Sequence, residues 1–163
     1  MTTSTTSTSQ IVQGETLPEE EDVFRLLKAS KDGRAIETHF TLSEKDKVGE
    51  RPLLSVWAIR FTTPQQAIEF IEEEKRGSYQ LYAIMNVGKI RAFRPEPDAS
   101  DITPYLDVIG DPLKDNRPGA DGHCGITGLK RQGLEFNSKR YKSLRYQLTD
   151  LANCNCQSVI KFL

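Results

Sequence analysis

The chain has 163 residues, enough for one compact domain and too few for two ordinary ones. Its formal net charge of −1 excludes a strong global pull toward polyanions or anionic membranes. No apolar run approaches the roughly 20 residues that a bilayer crossing needs.

The charge is uneven. Residues 1–80 carry 14 acidic and 10 basic groups, net −4, and residues 81–163 carry 9 acidic and 12 basic groups, net +3. An anionic partner is therefore sought in the C-terminal half. Three cysteines, an odd number without an export signal, predict reduced thiols and a cytoplasmic setting.

Residues 2–9 are all Ser or Thr and have no apolar surface to bury, so residues 1–16 are expected to be a disordered tail. Residues 17–163 are expected to form a single α+β domain. Pro18, the acidic run Glu19 to Asp22 and the stripe Val23, Phe24, Leu26, Leu27 predict a first helix, stopped at Gly33. A strand is expected over 35–42, then a loop over 43–51. Leu53–Phe61 has apolar residues on both faces, as a covered central strand does.

Thr63-Pro64-Gln65-Gln66 is a capping box with proline at the first helical position, opening a helix that runs to Gly77. Strands are expected over Tyr79–Val87 and Lys89–Arg94. Four prolines then break the chain, and 96–133 is expected to be a long, mostly irregular connection, with only short helical or extended pieces. Asn137 or Ser138 caps a last helix with Tyr141, Leu144, Leu148 and Leu151 at helical spacing. Val159–Leu163 reads as a final strand. The order predicts an antiparallel-rich sheet with helices packed on one face, and a glycine-bearing segment around His123 outside the core.

The two histidines are the first candidates for chemistry. His39-Phe40-Thr41-Leu42 resembles the His-x-Thr-apolar motif of two-histidine phosphoesterases, which implies acid–base roles for His39 and for His123, 84 positions later. The second copy departs from the pattern: Gly125 stands where the hydroxyl residue belongs, and Thr127 is two places late. Otherwise His39 is an ordinary edge-strand residue.

Gly119, Gly122, Gly125 and Gly128 bring backbone amides close enough together for an anion nest, or simply make an irregular loop. His123, Cys124, Cys154 and Cys156 lack the spacing of a zinc site, so no metal or other cofactor is expected. Asp98, Asp101, Asp107 and Asp111 read as solvated loop carboxylates. Lys130, Arg131, Lys139, Lys142 and Arg145 form a basic cluster suited to phosphates or nucleic acid, unless they are only a solvated helix face.

Leu17-Pro18, Asp22-Val23-Phe24-Arg25, Leu54-Ser55-Val56-Trp57, Asn86-Val87-Gly88, Asp111-Pro112-Leu113 and His123-Cys124-Gly125-Ile126 occur in an order that resembles a group of short, uncharacterised bacterial proteins. The resemblance implies a bacterial protein and draws attention to His123. It implies no activity.

No complete catalytic set is readable, so the leading expectation is a small accessory or interaction protein that binds a protein partner. The alternatives are a small phosphoesterase or nuclease using His123, and a nucleic-acid-binding protein acting through the basic last helix.

Overall fold

The computed structural model describes residues 10–41, 47–48, 51–95, 105–129 and 138–159. It is an α+β structure built on a six-stranded sheet. The sheet strands are β1 (Asp22–Lys28), β4 (Leu54–Ala58), β5 (Tyr79–Asn86), β6 (Asp107–Gly110), β7 (His123–Thr127) and β8 (Cys156–Ser158). They lie in the order β6-β7-β4-β1-β5-β8, every pair antiparallel. A separate short hairpin pairs β2 (Lys47–Val48) with β3 (Arg51–Pro52).

β1 corrects the expected first helix. Val23, Phe24, Leu26 and Leu27 are spaced 0, 1, 3 and 4, which suits a helix stripe. It suits equally a strand buried on both faces. The second arrangement wins because β1 has a strand on each side: Val23 pairs with Ala58 of β4 and with Met85 of β5.

Side chains alternate across this sheet, and each face builds its own apolar cluster. Val23, Leu27, Leu54, Val56, Ala58, Ala83, Met85, Cys124 and Ile126 point to one face. There they meet Val87 and Ile90 of α2 (Val87–Ala92) and Leu144, Leu148 and Ala152 of α3 (Lys139–Asn153). Phe24, Leu26, Trp57 and Tyr82 point to the other face, beneath Ala67 of α1 (Pro64–Ile68) with Phe70 and Ile71 beyond it. The helices thus divide between the faces instead of sharing one.

Several elements follow the sequence closely. Thr63 accepts from the Gln66 amide while Gln66 accepts from the Thr63 amide, closing the capping box. Ser138 caps α3 through the Tyr141 amide. Other boundaries move. The strand expected over 35–42 is a 3-10 turn at Glu37–Phe40, with Phe40 buried. The strand expected at Lys89–Arg94 is α2, because the Asn86 side chain accepts from the Lys89 amide and starts a helix.

The helix expected to reach Gly77 ends at Ile68 and resumes as a 3-10 turn at Glu73–Ser78. A strand lies at Cys156–Ser158, and residues 160–163 of the strand expected over Val159–Leu163 lie outside the described residues. Within the expected long connection, β6 and β7 form one border of the sheet. No helix among the described residues is long and apolar enough to cross a membrane.

The expected tail also shortens. Residues 1–9 lie outside the described residues. Gln10 to Leu17 run along β6: the Gly14 amide donates to Gly110, the Gly110 amide to Glu15, and the Leu17 amide to Val108. They cover the outer edge of β6, whose unpaired amides and carbonyls otherwise face solvent.

Candidate functional site

β7 is where the expectation for His123 fails in detail and gains in substance. The glycine-bearing segment lies inside the structure, and His123 is only 8% exposed. Its glycines admit neighbouring protein and not a ligand. A side chain at Gly122 would overlap Thr62, and one at Gly125 would meet Leu53. One at Gly128 would overlap the Tyr105 carbonyl. The carbonyl of Gly119 accepts from Thr62 Oγ1 at 2.7 Å. Two of the backbone amides are used internally, Gly122 donating to Gly119 and Ala120 to Arg117.

Three neighbouring strands converge on His123. In the β4–β7 register Trp57 faces His123 and Ser55 faces Gly125, so Ser55 and His123 are diagonal neighbours on one face. Gly110 pairs with Cys124, which sets Asp111, just beyond β6, beside His123, and the Asp111 amide donates to the His123 carbonyl. His123 Nδ1 is 2.9 Å from the Asp111 carbonyl oxygen and 3.2 Å from Asp111 Oδ2. His123 Nε2 is 3.1 Å from Ser55 Oγ.

The partners assign the proton. Nδ1 faces only acceptors, so in the neutral ring it must carry the hydrogen. Nε2 then has a free lone pair, and Ser55 Oγ is the group that donates to it. Trp57 holds the ring edge-on, with centroids 4.7 Å apart at 71°.

Asp111 is buried, and burial pushes its carboxyl up. Hydrogen bonds from His123 and from Gln13 Nε2, 3.1 Å from Oδ1, together with the charge of a protonated His123, outweigh that effect. The net result is a carboxyl held below its ordinary value. Ser55 is half-buried, beside Trp57 on the face that carries Leu26.

The other candidates separate. His39 sits in the 3-10 turn whose Phe40 joins the cluster under α3, on the sheet face opposite His123. Its ring is tied to the Ile36 amide and the Lys28 carbonyl. Burial, outweighing the Lys28 contact and aided by Arg25, lowers its pKa. The two imidazoles therefore share no cleft, and the paired-histidine arrangement is not formed.

Cys124 follows His123 and so points to the opposite face. Burial first, then the charges of Glu21 and Asp111, push its thiol up to about 12. Cys154 is exposed and Cys156 half-buried. No group of metal-ligating side chains forms among the described residues.

In the basic cluster, Lys139 and Lys142 are exposed, but Arg145 is 2% exposed and paired with Glu37. A spacing of three lags the helix by about 60° per step, so the row turns inward by 145. Lys130 and Arg131 lie outside the described residues.

Sequence reading missed Ser55 and the role of Asp111. Ser55 is the one polar position on the Leu53, Ser55, Trp57 face of a strong strand, which is the signal that marks it. Two surface grooves open elsewhere. One of about 490 Å³ lies against Gln66, Glu69 and Arg117, and one of about 420 Å³ lies between α2 and α3; neither borders Ser55. Compared with protein-family models, curated proteins and solved structures, the chain matches none.

Proposed function

We propose that the protein is a small serine-type hydrolase that cleaves carboxylic esters, with Ser55 as nucleophile and His123 as general base. The observation that carries this is the hydrogen-bonded chain from Asp111 through His123 to Ser55, in the tautomer that leaves Nε2 able to take a proton. This departs from the interaction-protein expectation, which rested on the lack of a complete catalytic set in the sequence. The set is incomplete on paper because its members are 56 and 12 residues apart, 111 − 55 and 123 − 111.

The chemistry follows from the contacts. Ser55 Oγ attacks the carbonyl carbon as its proton passes to His123 Nε2. The carbonyl π electrons move to oxygen. When they return, the bond to the alkoxy oxygen breaks and that oxygen takes the proton from Nε2. Water, deprotonated by the same nitrogen, then adds to the acyl carbon; the bond to Ser55 Oγ breaks, Oγ takes the proton back from Nε2, and the acid is released. Asp111 is a positioning residue: it holds Nδ1–H and favours the transient imidazolium.

The nucleic-acid reading loses Arg145 from its contact row and retains Lys139 and Lys142. The protein-partner reading draws on no specific contact surface.

The test is hydrolysis of short-chain aryl esters by wild type, Ser55→Ala and His123→Gln, with folding checked by circular dichroism. Folded variants should lose on the order of 10³-fold or more in kcat. Equal background rates in all three proteins would return the chain to the non-catalytic reading.

A further inference from the structure

Gln13 lies outside β1–β8, yet its amide is one of the two groups holding the Asp111 carboxylate. Backbone contacts to β6 bring it there, while Leu17 is buried in the core and its carbonyl accepts from Arg91. Gln13 bridges to Gly110, and the amides of Gly14, Gly110 and Leu17 each bond across to or from the strap and β6 at 2.9–3.0 Å. Gly110 is what lets the two backbones meet, since a side chain there would overlap the Val12 carbonyl and the Ile11 side chain.

We propose that residues 10–17 form a strap that completes the site, with Gln13 as a positioning residue. Gln13 fixes Asp111 so that one carboxylate oxygen is spent on Gln13 and the other is left for His123 Nδ1. This rests on the hydrolase reading for its catalytic consequence, but not for its geometry.

Asp111 follows the last residue of β6, and the groups that its two oxygens engage set the orientation of its carboxylate. Engaging Oδ1 from the strap leaves Oδ2 at 3.2 Å from the imidazole. A carboxylate that rotated away would leave Nδ1 only the Asp111 main-chain carbonyl, which carries no full charge to favour an imidazolium. The strap therefore sets how strongly the imidazole is polarised, and lifting it weakens the base at a distance from Ser55. His123 is the titratable group that bonds Asp111, and the charge of Asp111 also reaches the Cys124 thiol on the other face of β7.

The experiment uses the full chain. With only two histidines present, ¹⁵N-histidine NMR of wild type, Gln13→Leu, Gln13→Glu and Gly110→Ala reads the His123 Nδ1 proton, and ¹³C-carboxyl NMR reads the Asp111 titration. The Asp111 midpoint should rise in Gln13→Leu and rise further in Gln13→Glu, where a second carboxylate faces it. Gly110→Ala should resemble Gln13→Leu, because it displaces the strap without altering Gln13. The rate of Ser55 modification by a fluorophosphonate should fall about tenfold in all three.

A strap that merely covers the sheet edge would leave the midpoint and the Nδ1 proton unchanged in both Gln13 variants, and that result overturns the proposal. If the midpoints shift while wild-type Ser55 is unreactive, the strap assignment stands and the hydrolase reading falls.

Discussion

The indole of Trp57 stands edge-on to the imidazole of His123 and stacks face-on against Phe70, whose ring centroid is 5.2 Å away. Trp57 therefore couples the site to the apolar layer under α1. Trp57 is 6% exposed and lies on β4, which pairs with β1 on one side and with β7 on the other.

Trp57→Ala should cost about 3–5 kcal/mol in urea unfolding. Trp57→Phe keeps an aromatic contact to His123 and should cost less than half of that. Equal losses would mean that the cluster, and not the imidazole contact, sets the value.

The Asp111 carboxyl contributes to the acid limb of stability. Its folded-state pKa lies below the unfolded value of about 3.9. The ionised form thus favours the fold above the unfolded pKa, and that contribution disappears as pH falls through the folded one. Urea midpoints measured from pH 7 downward should drop in wild type and drop less in Asp111→Asn, the difference opening below about pH 5. Parallel curves would contradict the contacts of Asp111 with His123 and Gln13.

Arg145 is buried against a partly exposed Glu37. Glu37→Ala takes the carboxylate away from a buried guanidinium and should cost about 3 kcal/mol. Arg145→Met leaves a carboxylate that water can reach and should cost about 1 kcal/mol. The two variants' urea midpoints decide between this asymmetry and an equal loss.

The thiols differ by environment. Iodoacetamide at pH 8 should modify exposed Cys154 first, and Cys124, pushed up to about 12 by burial, only after unfolding. Peptide mass mapping over time reads the order. Early modification of Cys124 would show that its face of β7 opens.

The fold class was legible because alternation in Leu53–Phe61, the Thr63 capping box and the Leu144, Leu148 stripe are local signals that tertiary structure had no reason to override. β1 was not legible, since a doubly buried strand and a helix stripe share the spacing of Val23, Phe24, Leu26 and Leu27. α2 was missed because its cap, Asn86, sits inside a strand pattern. β6 and β7 are only four and five residues long and end in residues that read as turns.

For the site, His123 was visible as a rare titratable side chain. Its partners were not. A diagonal contact across β4 and β7 depends on register, which a single sequence does not state, and Asp111 looked like any loop carboxylate between prolines.

Arg145 was legible in principle: positions 141, 145, 148 and 152 form one helical stripe, and three of them are apolar or aromatic. A charge within such a stripe calls for a partner of opposite charge, which the partly exposed Glu37 supplies.

The most direct measurement is the intact mass of the protein after exposure to a fluorophosphonate, followed by peptide mapping. One adduct is expected, on Ser55, formed by wild type and by Cys124→Ala, and absent in His123→Gln. No adduct on folded wild type, or an adduct on Ser55 that persists unchanged in His123→Gln, would contradict it.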